Sequence, residues 1–149
     1  MTDVRRILVP VDFSDTSRDA ARYAFGLARQ LDAEVIATTV IDVLDLRIAM
    51  KNTGVREFET GEDQQRQVRA WIDAEFTKLT TECGCTVVHH VRHGMPEKEL
   101  LAAIAELRPD LVVIGATGIS GRKPLGSRTL EVINETDVPV LVVGRGNKS

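Results

Sequence analysis

The sequence predicts an α/β domain in which a mainly parallel sheet is covered by helices. Three observations lead there. Short, continuously apolar, β-branched runs recur along the chain; stripes at helical spacing alternate with them; and aromatic residues make up only 4% of the chain, which disfavours an antiparallel sandwich. Alternation of strands and helices implies right-handed βαβ units. The 149 residues suffice for one domain with a real core, and nothing divides them, so residues 1–149 are read as a single unit.

The first strand is "RILVPV", within residues 5–11. It is followed by "SDTSRDAARYAFGLARQLDA", where Ala20, Ala21, Ala24, Leu27, Ala28 and Leu31 form a helical stripe and Ser14 or Asp15 can cap the start. "EVIATTVI" (34–41) is the second strand. Residues 42–61 are too long for a routine connection and are expected to form a loop or a partly helical lid.

The second helix, "GEDQQRQVRAWIDAEFTKLTTECG", presents Val68, Trp71, Ile72, Phe76 and Leu79 as its apolar face, with Gly84 just beyond its end. Trp71 and Phe76 are therefore expected in the core. "TVVHHV" (86–91) is partly polar, as suits an edge strand, and His89, His90 and His93 are expected to flank it, away from any cleft. "MPEKELLAAIAELRPD" carries Pro96 near its first turn and Pro109 after its last. "LVVIG" (111–115), a short helix with Leu130 and Ile133 expected to be buried, and "VPVLVVG" (138–144) complete the series.

Composition limits what the chain can do. A net charge of −3 is a poor match to a polyphosphate backbone, so nucleic acid is not an expected partner. No apolar run approaches a membrane span, and the basic start leads into a strand that ends near Asp12 rather than into a leader. The expected location is the cytoplasm, without membrane insertion. Cys83 and Cys85 are one residue apart, too close for an unstrained disulfide. Together with the histidines they match no zinc spacing, so no metal is expected there.

The densest signal is "GATGISGRKPLGS" (115–127), with four glycines in thirteen residues. In open α/β sheets ligands bind beyond the carboxyl ends of the strands, where strand order reverses. If the first and fourth strands are neighbours, Asp12 and this loop share one crevice, and amides near Gly115, Gly118 and the last helix point at a common anion. Ser127 caps that helix or binds phosphate. Neither a Walker loop nor a dinucleotide fingerprint fits, because no lysine follows Gly126 and Gly-x-Gly-x-x-Gly is absent. On the residues alone, an anion site and a plain connecting loop both remain open. Asp12 is read as a ligand anchor or a helix cap, Ser14 as a cap, and Asp42 as a crevice residue or a loop start.

"ILVPVDFS", "HGMPEKELLAAIAELRPDLVVIGATG" and "GSRTLEVINETDVPVLVV" together resemble the universal stress proteins across essentially the whole chain. The resemblance implies a Rossmann-like three-layer fold, a five-stranded parallel sheet of order 3-2-1-4-5 with four main helices, and a homodimer; the final strand, residues 138–144, is apolar and would otherwise be an exposed edge, so it is the expected dimer contact. The resemblance also implies a regulatory protein that binds ATP or AMP, with Mg2+ as an accompanying ion and an unidentified protein partner. A nucleotide-free interaction module and a slow ATPase or autokinase are the alternatives. Adenine would lie near Val11, Asp12 and Val40, and ribose near Asp12 and Gly115, with Pro10 also among the nucleotide-binding residues. Phosphates would meet Gly118, Gly126, Ser127 and Thr129, beside Thr117 and Arg128. Nucleotide-binding members place nine residues between the second glycine and Gly-Ser; here seven, "ISGRKPL", stand between Gly118 and Gly126. Arg122 and Lys123 are this loop's own cations and are candidate phosphate contacts.

Overall fold

A computed structural model describes residues 3–42, 61–116 and 126–144, and these described residues form nine elements. They are β1 (Arg6–Pro10), α1 (Asp15–Leu31), β2 (Glu34–Ile41), α2 (Gly61–Thr80), β3 (Val87–His93), α3 (Pro96–Leu107), β4 (Leu111–Gly115), α4 (Ser127–Glu135) and β5 (Val140–Val143). All strand pairs are parallel, in the order β3-β2-β1-β4-β5. The expected architecture and order are therefore found. Most of the proposed 42–61 lid lies outside the described residues.

Alternation along the strands divides the core between two faces. Ile7, Val9, Val35, Ala37 and Val113 meet α1 and α2 through Ala20, Ala24, Phe25 and Ile72. Leu8, Val112 and Ile114 meet α3 and α4 through Leu100, Ile104 and Val132. The alanine stripe of α1 removes bulk and lets that helix lie close on the sheet, with Ala20, Ala21 and Ala24 wholly buried. Asp110 fastens the opposite end: its Oδ2 accepts from the amides of Arg5 and Arg6 at 2.9 and 3.0 Å.

Main-chain bonding explains where the sheet opens. Successive residues of a strand address opposite neighbours. Arg5 and Val11 bond toward β2, through Glu34 N to Arg5 O and Val11 N to Thr38 O, whereas Arg6 accepts from Asp110 on the β4 side. Pro10 shares the parity of Arg6, so its missing N–H falls on the β4 side. The paired residues of β1 and β4 are Ile7 with Leu111 and Leu8 with Val112, whereas β1 follows β2 from Arg6 to Pro10. The carboxyl ends of β1 and β4 are thus unlaced.

Several side chains depart from the sequence reading. Trp71 is 51% exposed rather than core, and it touches Phe13 edge-on at 5.6 Å. Leu31, Leu130 and Ile133 are also exposed. In α4 the buried line is Thr129 and Val132, and a one-residue step turns a side chain by about 100°, off that line. The histidines belong to β3 instead of flanking it. His89 stacks on Phe76 at 4.0 Å and shares a 2.8 Å hydrogen bond with Thr39 Oγ1. Cys83 and Cys85 are free thiols.

Burial, with Arg69 and His90 nearby, lowers the His89 pKa below its ordinary value, and Asp73 only partly opposes this. A lowered histidine pKa means the unfolded chain takes up the proton first, so stability is present above the ordinary value and lost as pH falls through the folded one. We expect the thermal midpoint to drop between roughly pH 7 and pH 5.5. In His89→Asn that portion of the drop disappears, although the midpoint is lower throughout; differential scanning calorimetry across this range checks it.

Candidate functional site between three helix starts

The unlaced ends of β1 and β4 open into a cleft of about 260 Å3. Its walls come from the first turns of three helices: Ser14, Thr16 and Ser17 at α1, Pro96 and Glu97 at α3, and Ser127, Arg128 and Thr129 at α4. Each helix start carries partial positive charge and first amides without intrahelical partners. Three such starts around one cavity favour an anion.

The β1–α1 turn sets the position of Asp12. Phe13 holds φ at 65°, a left-handed conformation that costs a bulky residue about 1–3 kcal/mol. Its ring is 7% exposed and lies edge-on to both Trp71 and His89, so packing on the far face of the sheet holds the strained turn. Ser14 follows as the N-cap of α1, accepting from Ser17 N, while its own N and Oγ donate to Asp12 Oδ1 at 2.9 and 2.5 Å. Ser14 is therefore the cap and Asp12 its acceptor. Burial pushes the Asp12 pKa up, but hydrogen bonds from Ser14 and Ser17 and the charge of Arg128 outweigh it, leaving the carboxyl below its ordinary value. Asp12 is ionised at neutral pH, with Oδ1 held by Ser14 and Oδ2 turned toward Arg128.

Arg128 spans the mouth. Its guanidinium lies 3.8 Å from Asp12 Oδ2 and 3.9 Å from Glu97 Oε1. Contacts this long between part-exposed groups are weak and readily exchanged. At the start of α4, Gly126 is the N-cap and supplies no side chain to the first amides. Thr129 donates its hydroxyl to Gly115 O at 2.7 Å. That proton is thus committed, and the role of Thr129 is to tie the first turn of α4 to the end of β4. Gly115 itself needs no left-handed backbone; a Cβ there would stand 3.4 Å from Thr16 O. That is an ordinary van der Waals contact, so the space beside Thr16 would admit an alanine.

Pro10, Val11, Asp12, Val40, Gly115, Gly126, Ser127, Arg128 and Thr129 all line the cleft, so the structure gathers these sequence-selected residues in one place. Thr117, Gly118, Arg122 and Lys123 lie outside the described residues, and Asp42 is not among the lining residues. Thr16, Thr38, Glu97, Leu100 and Ile114 also line it and escaped the sequence reading. Thr38 and Leu100 look like core from sequence, and Glu97 like a solvated first-turn acid. Among the described residues, no group of three or more His, Cys, Asp or Glu is placed to hold a metal ion, and no helix is long and apolar enough to cross a membrane.

Comparison with known proteins agrees with this architecture. Residues 3–144 match the model of the universal stress protein family. The chain is 32% identical to universal stress protein MJ0531 of Methanocaldococcus jannaschii, covering 97% of this chain and 84% of that protein. It is 30% identical to universal stress protein MJ0577 of the same organism, covering 96% of each. The solved structure of MJ0577 superposes with a TM-score of 0.78 at 24% identity over 98% of this chain and 99% of that one. A universal stress protein in complex with cAMP superposes at 0.66, with 22% identity over 96% and 98% of the two chains. One from Archaeoglobus fulgidus in complex with dAMP superposes at 0.63, with 18% identity over 95% and 98%. Fold, strand order and sequence thus agree, and the chain belongs to the universal stress protein family.

Proposed function

We propose that this protein is a regulatory binder of adenine nucleotides, ATP or AMP, and that the cleft is its ligand site. The observation that carries this is the convergence of three helix starts on an ionised Asp12 at the reversal of strand order. The base lies along Pro10, Val11 and Val40. The ribose hydroxyls donate to Asp12 Oδ2, and phosphate sits on the amides of Ser127 and Arg128. The guanidinium of Arg128 then exchanges its weak contacts with Asp12 and Glu97 for phosphate oxygens, which it can hold two at a time. Structural neighbours in complex with cAMP and dAMP support an adenine ligand. Mg2+ enters with a triphosphate, held mainly by phosphate oxygens and water.

Isothermal titration calorimetry of the nucleotide-free protein with AMP, and with ATP in the presence and absence of magnesium, tests the reading. Saturable binding is expected. Asp12→Asn removes a charged acceptor and weakens it by about tenfold or more, the scale of a hydrogen bond to a charged group. Arg128→Val lowers affinity for both nucleotides and flattens its dependence on salt. No heat from a folded wild-type protein with either nucleotide would overturn the assignment.

We also propose a homodimer built on residues 138–144. β5 is an edge strand whose valines and leucine are only half-buried, and a two-fold pairing would cover both copies of that edge. Sedimentation equilibrium at micromolar concentration should give twice the chain mass. Val142→Lys should give the monomer, with helical circular dichroism retained.

A further inference from the structure

The wall of the cleft nearest α3 is formed by Val40, Pro96, Leu100 and Ile114, with two polar exceptions, Thr38 and Glu97; the Glu97 carboxylate already faces Arg128. Thr38 is 1% exposed. Among the described residues its Oγ1 is the one buried side-chain nitrogen or oxygen without a hydrogen-bond partner. The other buried hydroxyls are used within the protein: Ser17 Oγ donates to Ser14 O, Thr39 pairs with His89, and Thr129 donates to Gly115 O. An unmade bond at a buried hydroxyl is destabilising, and such groups in native proteins call for an explanation. Valine would keep the branched shape that suits a strand without that cost.

We propose that Thr38 is a specificity-determining residue of the cleft, its hydroxyl held for a polar atom on the edge of the bound base. This rests on the adenine-nucleotide reading above and adds to it a contact from the floor of the site. Thr38 stands on β2 opposite Pro10 and two residues before Val40, so the three share one end of the sheet. Parity puts Thr38 and Val40 on one face. A hydroxyl both donates and accepts, so it can serve a ring nitrogen or an exocyclic amine. Oγ1 is buried, so the contact requires the side chain to turn about χ1 toward the cleft that Thr38 lines. Among its apolar neighbours Val40, Leu100 and Ile114, a buried polar point favours a nitrogenous base over a purely hydrocarbon group of the same size.

The test compares wild type, Thr38→Val and Thr38→Ser by calorimetry with AMP and with ribose 5-phosphate, which lacks the base, alongside urea unfolding of each. Thr38→Val should bind AMP about fivefold to tenfold more weakly, the scale of one neutral hydrogen bond, while unfolding at higher urea. Thr38→Ser should stay within about twofold of wild type for AMP, since the hydroxyl is retained. Ribose 5-phosphate should bind wild type and Thr38→Val alike. Equal AMP affinity in wild type and Thr38→Val would overturn the role of Thr38 and leave the nucleotide assignment standing. An equal loss for ribose 5-phosphate would also overturn it, because the change would then be structural. If wild type binds AMP not at all, both readings fall together. Should Thr38→Val not fold, Thr38→Ala takes its place, and AMP affinity equal to that of Thr38→Ser overturns the proposal.

Discussion

The turn Asp12–Phe13–Ser14 is the constraint on which the site depends. A phenylalanine in the left-handed region is unfavourable in isolation, and it persists here because its ring is enclosed by Trp71 and His89 on the far face of the sheet. Ser14 can then cap α1 and also donate twice to Asp12. One carboxylate oxygen is fixed by this arrangement, which leaves the other oriented without further support. Packing of α2 against Phe13 and β3 therefore bears on the position of the Asp12 carboxylate. The ion pair of Arg18 with Glu75, at 2.7 Å, joins α1 to α2 and strengthens that link.

Pro10 supplies the complementary constraint. A proline inside a central strand would ordinarily disrupt the ladder. At the last position of β1 its missing donor falls on the β4 side only, so β1 stays paired to β2 while its end separates from β4. The missing N–H of Pro10 thus contributes to the separation of β1 from β4 where the cleft lies. Asp110 keeps the amino ends of the same two strands together, which confines the separation to the ligand side.

The fold was legible because its signals are periodic. Five β-branched runs and intervening stripes leave few architectures, and the family resemblance supplied the strand order. The site was legible where chemistry coincides with a strand end, as at Asp12, Gly115 and Ser127. It was not legible where a residue's role depends on which neighbour it meets. Thr38 reads as one more β-branched strand residue until its hydroxyl is seen without a partner. Trp71 satisfies the helical stripe, yet α2 buries Val68, Ile72 and Leu79 and leaves Trp71 touching Phe13 at the margin. His89 shows the same limit: no local spacing reveals that it will stack on Phe76 from another element.

Polar groups around the cleft separate into two kinds, and the separation bears on what the site is for. Ser17, Thr129 and Ser14 spend their hydrogen-bonding capacity on the protein itself, shaping the helix starts. Asp12 Oδ2, the first amides of α4, Arg128 and Thr38 keep theirs weakly engaged or unused. Groups of the second kind lower the stability of the domain alone and raise its affinity for a ligand that satisfies them together. Such a ligand needs hydroxyl donors for a carboxylate, an anion for helix amides and a cation, and a flat heteroatom-bearing group for a slot lined by proline, valine and leucine. A nucleotide, the proposed ligand, unites these chemistries in one molecule. Binding would then stabilise most strongly the conformation in which β1, α3 and α4 are held at these distances. That differential affinity is the physical requirement for a ligand to act as a switch.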